Sequence, residues 1–165
     1  MKKCIPLFLF IFIVFNSCTS DETTTYYLIR HAEKDRTDTS NKNPNLNLEG
    51  LERAKKWASY FKNIELDAVY STNYNRTQQT ATPTAEDKKL VIQSYNPSKM
   101  FDSIFQQKTK GKTVLVVGHS NTTPDFANKI VGEKKYKNMS DHDNASLYIV
   151  SLSGFDVSSR IEKVN

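Results

Sequence analysis

Four residues of this 165-residue chain have types and settings suited to work on an anion: Arg30, His31, Arg76 and His119. A neutral imidazole is a nucleophile or base near neutral pH, and a guanidinium offers a fork of donors matching pairs of anionic oxygens. Arg30-His31 is therefore a candidate anion-handling nucleophile site. Taken alone, the pair reads equally well as a strand end carrying two solvated polar residues. Recurrence breaks the tie. His119 lies in Gly118-His119-Ser120-Asn121, directly after the apolar run Thr113–Val117, and Arg76 lies shortly beyond Ala68-Val69-Tyr70.

Each of these residues needs an element to hold it. Tyr26–Ile29 is rich in aromatic and β-branched residues and reads as a buried strand. Ile64–Tyr70 contains a second strand and Leu90–Tyr95 a third. Thr113–Val117 is apolar without alternation, as expected of a central strand covered on both faces. Ser146–Leu152, the turn Ser153-Gly154 and an extended segment around Ser159–Val164 predict an antiparallel hairpin at a sheet edge. Between the strands, Asn47 caps a helix over Leu48–Phe61, whose Leu51, Ala54, Ala58 and Phe61 keep helical spacing, with Trp57 widening the stripe. A second helix starts near Tyr74 and is expected to end or kink at Pro83. A third starts at Pro97 and buries Met100, Phe101, Ile104 and Phe105. A fourth covers Pro124–Val131.

Strands alternating with helices predict a three-layer α/β/α sandwich with a mostly parallel central sheet and a C-terminal antiparallel hairpin. Ligands of such sheets bind at the carboxyl ends of the strands. His31 and His119 both fall there, and the polar, turn-rich stretch Asp35–Asn47 is a loop at the same edge. Arg76 falls in the first turn of its helix. The macrodipole disfavours a cation in that place unless the cation faces an anion, which the helix end also attracts.

One domain is expected, over residues 25–165. Lys2 and Lys3 precede the apolar run Ile5–Phe15, which has signal-peptide length and is short for a membrane span. Phe15-Asn16-Ser17-Cys18 resembles the lipobox of bacterial lipoproteins, although Phe15 replaces the usual aliphatic residue. The resemblance implies a signal peptide over 1–17, a lipid anchor on Cys18 and a tether over 18–24. The location implied is the bacterial cell envelope, anchored to the outer membrane and facing the periplasm or the surface. Ordinary secretion with a free cysteine is the competing reading. In the lipoprotein reading Cys4 leaves with the leader and Cys18 is acylated, so the mature domain has no free thiol and no disulfide. The net charge of +5 includes Lys2 and Lys3, and no long basic block marks a nucleic-acid partner. Three histidines without helical ligand spacing argue against a zinc site, and no cofactor is expected.

Leu28-Ile29-Arg30-His31-Ala32, the segment Ser71 through Arg76 to Thr80-Ala81, and Val117-Gly118-His119-Ser120 resemble, in order, the motifs of the histidine phosphatase superfamily, with its phosphoglycerate mutase-like fold. Leu46-Asn47-Leu48-Glu49-Gly50 is similar to the family's segment before its first long helix. The short connection from Ala81 to Thr113 resembles the small phosphohistidine-phosphatase-like branch. Ala32 stands where glycine is commonest. The resemblance implies a metal-independent phosphatase acting on a phosphorylated small molecule. In it His31 is the nucleophile that becomes a phosphohistidine, and Arg30, Arg76 and His119 hold the phosphoryl oxygens. The leaving-group acid is not supplied by the expected positions, which read Ser94-Tyr95-Asn96-Pro97 and Ser120. Glu33 is one substitute, and Asp141, His142 and Asp143 are others. A silent phospho-ligand-binding lipoprotein on the same fold is the alternative function. Oligomeric state and physiological substrate are not readable.

Overall fold

A computed structural model describes residues 22–165; the expected signal peptide, Cys18 and most of the tether lie outside the described residues. Among the described residues no helix is long and apolar enough to cross a membrane. They contain a six-stranded sheet made of β1 (Thr24–Arg30), β2 (Ala68–Ser71), β3 (Ile92–Ser94), β4 (Thr113–Gly118), β5 (Ser146–Ser153) and β6 (Asp156–Lys163). Its spatial order is β3-β2-β4-β1-β5-β6. The pairs β3–β2, β2–β4 and β4–β1 are parallel, whereas β5 runs antiparallel to β1 and β6 antiparallel to β5.

The pleat sorts the apolar residues onto two faces. Tyr26 and Leu28 of β1, with Val114 and Val116 of β4, pack on one side; Ile29, Leu115 and Val117 pack on the other. Helices α3 (Ser103–Thr109) and α4 (Thr122–Val131) cover the first face through Phe105, Phe126 and Ile130. Helices α1 (Leu48–Phe61) and α2 (Asn75–Asp87) cover the second through Trp57, Phe61, Ala81 and Ala85. Each large apolar side chain so buried contributes about 1.5–3 kcal/mol. With no cysteine among the described residues, packing is what holds these layers together.

Three local expectations are corrected. The Asn47 side chain caps α1 as expected, accepting from the Gly50 amide at 2.8 Å, but the buried stripe is Gly50, Ala54, Trp57 and Phe61. Leu51 is left 40 % exposed. Gly50 sets this rotation: a Cβ there would lie 2.1 Å from the Glu33 carbonyl oxygen, so the helix meets the chain beyond β1 through its glycine side. Next, α2 does not end at Pro83 but continues to Asp87, its segment pinned by buried Ala81, Thr84 and Ala85. Finally, the helix expected from Pro97 is broken. A 3-10 turn over Pro97–Lys99 is followed by Phe101 at φ +58°, and α3 starts afresh after its cap Asp102. The break changes the helical phase, so Met100 and Phe105 are buried while Ile104 is 62 % exposed.

Because β1, β2 and β4 are parallel, their carboxyl ends share one edge of the sheet. β5 runs the other way, so it is the segment before its start, Ser140–Asn144, that arrives at this edge.

Candidate active site

β1 ends with Arg30 opposite Gly118 of β4, and the His31 amide prolongs the pairing by donating to the Gly118 carbonyl at 3.0 Å. His31 thus leaves the sheet beside His119, with ring centroids 5.6 Å apart. Three further bonds fix its backbone. The Ala32 amide donates to Thr80 Oγ1 at 2.9 Å, the Thr80 hydroxyl donates to the Arg76 carbonyl at 2.7 Å, and Asn144 Nδ2 donates to the His31 carbonyl at 2.8 Å. Thr80 sits one turn beyond Arg76 on α2, so one side chain ties the backbone beyond His31 to that of Arg76. Gly118 is needed beside them: a Cβ there would lie 2.9 Å from both the Tyr95 hydroxyl and Thr122 Oγ1.

His31 Nδ1 lies 2.8 Å from the Ala32 carbonyl oxygen. A carbonyl only accepts, so Nδ1 carries the proton and Nε2 keeps a free lone pair. The ring is 4 % exposed. Burial holds its pKa down to about 3; the bond to the Ala32 carbonyl opposes this, and the charges of Arg30 and Arg76 reinforce it. Burial is thus a larger cause of the neutral imidazole than the neighbouring arginines.

His119 is oriented from both sides. Its Nε2 lies 2.9 Å from Thr72 Oγ1 and its Nδ1 3.4 Å from Arg76 Nη2. A guanidinium only donates, so Nδ1 accepts and Nε2–H donates to Thr72. The chain continues through Thr77 Oγ1, 3.0 Å from Thr72 Oγ1, to the carbonyls of Thr72 and Tyr74. Burial, then Arg76, Arg30 and Lys34, bring the His119 pKa to about 4.

Arg30 is buried, with Nη2 paired to Asp141 at 2.5 Å and Nη1 donating to the Ser140 carbonyl at 3.0 Å. The Arg76 guanidinium rests 4.5 Å above the Tyr74 ring, and its Nη1 donates to the Lys42 carbonyl at 3.4 Å. In both arginines Nε is buried without a hydrogen-bond partner. A buried donor left unpaired costs about 1–3 kcal/mol. Two of them beside two unprotonated imidazoles can hold an anion within reach of a nucleophile. The first turn of α2 contains no acidic residue to compete with it.

The acid candidates are placed differently. Glu33 accepts from Arg53 Nε on α1 at 2.6 Å. Asp141 is shared between Arg30 and Arg36, and Asp143 is held by Lys163 and the Ser146 hydroxyl. His142 is exposed. Beside the site a cleft of about 620 Å³ opens, lined among others by Lys34, Arg36, Asp141, His142 and Asn144. The loop over 35–47 that frames it is docked on α2 by Asn43, which accepts from the Asn75 amide at 2.8 Å, and by Gln79, which accepts from the Leu46 amide at 2.7 Å. Among the described residues, no group of three or more His, Cys, Asp or Glu side chains is arranged to hold a metal ion. Sequence reading gives Asn144 and Lys34 no role, and Thr80 enters it only as part of a motif.

A family model described as histidine phosphatase superfamily (branch 1) matches residues 26–96, which include Arg30, His31 and Arg76. No curated protein sequence matches the chain. Solved structures with the same fold include an Agrobacterium tumefaciens protein assigned as the phosphohistidine phosphatase SixA. It is 17 % identical, the match covers 84 % of this chain and 97 % of that one, and the TM-score is 0.65. A mycobacterial glucosyl-3-phosphoglycerate phosphatase is 12 % identical over 87 % of this chain and 99 % of its own, with a TM-score of 0.64. A phosphoglycerate mutase from Bacillus anthracis is 15 % identical over 88 % and 94 %, with a TM-score of 0.63. The chain thus has the phosphoglycerate mutase-like fold and carries, over residues 26–96, the sequence pattern of the histidine phosphatase superfamily.

Proposed function

We propose that the protein is a metal-independent phosphatase that hydrolyses phosphate esters of small molecules through a covalent phosphohistidine on His31. One observation carries this reading: the free Nε2 of His31 shares a buried edge with the unpaired Nε groups of Arg30 and Arg76. In the first step Nε2 bonds to phosphorus as the bond to the leaving oxygen breaks. In the second, a water oxygen bonds to phosphorus, the N–P bond breaks, and inorganic phosphate leaves. Two easier transfers replace one difficult one. Arg30 and Arg76 hold the phosphoryl oxygens, and preorganised donors of this kind act most strongly where charge develops. His119 faces the same oxygens through Nδ1. It becomes a donor there once a phosphate dianion offsets the burial and the arginine charges that keep it neutral.

The superfamily match and the phosphatases among the fold neighbours support this chemistry. The leader pattern supports a lipid anchor on Cys18 and a place in the bacterial envelope. The test is hydrolysis of 4-nitrophenyl phosphate in excess chelator, with 32P trapping on the quenched enzyme. The wild type should turn over and carry acid-labile label, and His31→Ala should do neither. Undiminished turnover in His31→Ala overturns the assignment. Phosphate binding without turnover in the wild type favours instead a silent phospho-ligand-binding protein, a reading that the engagement of Glu33 by Arg53 also suits.

A further inference from the structure

An alkoxide leaving group needs a proton, and the carboxylates nearest His31 are engaged. Glu33 is tied through Oε1 to Arg53, its Oε2 being buried without a partner, Asp141 is tied to Arg30 and Arg36, and Asp143 to Lys163. Asp35 Oδ1 accepts from both the amide and the hydroxyl of Thr37. Glu49 is exposed on the first turn of α1. Lys34 differs from all of these. It lies three residues past His31, and its backbone is pinned by a bridge to Leu46 and by the adjoining bond from the Asp35 amide to the Asn45 carbonyl at 2.8 Å. Its ammonium has no salt-bridge partner among the described residues. It lines the cleft together with Asp141, which pairs with Arg30, and Asn144, which holds the His31 carbonyl. The cleft is therefore joined to the anion place through Asp141 and Asn144, although Arg30, His31, Arg76 and His119 do not line it, and Lys34 is the unpaired cation in its lining.

We propose that Lys34 is the proton donor to the leaving oxygen, and that the cleft beside it receives the leaving group. This rests on the phosphatase reading above. Burial, then Arg36 and Arg76, lower the Lys34 pKa, while Asp141 opposes them. Lys34 in turn is one of the charges that depress His119, so it lies within electrostatic reach of the site. As His31 Nε2 bonds to phosphorus, the electron pair of the breaking P–O bond stays on the leaving oxygen, which takes a proton from Lys34 Nζ. The neutral amine then accepts a proton from the water that attacks the phosphohistidine. The N–P pair returns to Nε2, and the ammonium is restored. A lysine suits both halves of this cycle because its pKa responds to neighbouring charge, whereas an arginine stays protonated.

The test compares a good leaving group with a poor one in the full chain carrying Lys34→Met or Lys34→Arg. With 2-phenylethyl phosphate, Lys34→Met should lose about 10²–10⁴-fold in kcat/KM, the range of general acid catalysis. With 4-nitrophenyl phosphate, whose leaving group needs no proton, the loss should stay below roughly tenfold. Lys34→Arg keeps the charge and should not restore the alkyl ester. Equal losses on both esters, rescue by arginine, or no loss in Lys34→Met would each overturn the role. The 4-nitrophenyl phosphate rate and the urea midpoint serve as folding controls, with Lys34→Gln replacing the methionine variant if that fails to fold. A wild type that hydrolyses neither ester sinks the phosphatase reading itself; with a wild type that hydrolyses both, the contrast between the two esters decides the role of Lys34 alone.

Discussion

Lowering the pH from 7.5 to 4.5 should destabilise this protein, chiefly through its two site histidines. Unfolded, each imidazole titrates near about 6.5. Folded, His31 is held to about 3 and His119 to about 4, in both cases by burial first and by the neighbouring arginines after it. Between the unfolded and folded values the unfolded chain binds more protons than the native one. The stabilisation is therefore complete above pH 6.5 and drains away as pH falls through the interval. At pH 4.5 each histidine lies about two units below its unfolded pKa, which at about 1.4 kcal/mol per unit removes about 2.5 kcal/mol apiece. Together they remove up to about 5 kcal/mol, against a typical domain stability of about 5–15 kcal/mol. Asp141 and Asp143, whose pKa values are held low, lose their contribution only at lower pH. The assay is the urea midpoint at pH 7.5, 6.0 and 4.5 for the wild type, His31→Gln and His119→Gln. With a urea slope of about 1–3 kcal/mol/M, the wild-type midpoint should fall by roughly 2 M or more. Each glutamine variant, having nothing to titrate, should recover about half of that fall. A flat wild-type profile, or a His31→Gln profile parallel to it, would refute the view that burial keeps His31 unprotonated.

Two further substitutions probe the scaffold. Gly50→Ala would place a methyl 2.1 Å from the Glu33 carbonyl oxygen, and overpacking of this kind costs about 1–3 kcal/mol. Thermal denaturation should show the loss, and an unchanged Tm would contradict the close approach of α1 to the chain beyond His31. Thr72→Val removes the acceptor of His119 Nε2–H while Arg76 still donates to Nδ1, so the ring keeps its tautomer and buries an unpaired N–H, at a cost of about 1–3 kcal/mol. The urea midpoint should show that loss while nitrogen NMR of the His119 ring still reports Nε2–H; a shift of the proton to Nδ1, or an unchanged midpoint, would contradict the assigned network.

Much of this site was legible because its key residues are tied to local sequence features. The unbroken apolar run Val114–Val117 marks the central strand, and a parallel strand delivers whatever follows it to the ligand edge. Arg30, His31 and His119 are within one residue of such a strand end, and Arg76 is in the first turn of a helix. What was not legible depends on partners distant in sequence. Glu33 looks available until α1 brings Arg53 against it, twenty residues on. Leu51 fits a helical stripe as well as Gly50 does, and only the approach of Glu33 decides which side turns inward. Ile104 is apolar and correctly spaced, but the positive φ of Phe101 breaks the helix that the spacing assumes. The segment of Asp141 and Asn144 reaches the site because β5 is antiparallel; Asp141 stands among the acid candidates, but its pairing with Arg30 and the bond from Asn144 to the His31 carbonyl have no signal in the sequence.

Several features of the site are unfavourable by themselves, and they share one remedy. Arg30 and Arg76 each bury an unpaired Nε–H. Arg76 sits in the first turn of α2, where the helix macrodipole repels a cation. Arg30, Lys34, Arg36 and Arg76 are close enough for their charges to interact, and Asp141 is the counter-charge of the first three. His119 is held neutral in part by those same charges. The packing of the domain explains none of these, since each could be relieved by exchanging a charged residue for an apolar one of similar size. A single anion at the edge of β1, β2 and β4 would pair the Nε groups, balance the helix end, offset the excess cations and let His119 donate. Features with unrelated local origins that are relieved together by one ligand are better evidence for a phosphate-handling site than any one of them, and they converge on the free Nε2 of His31.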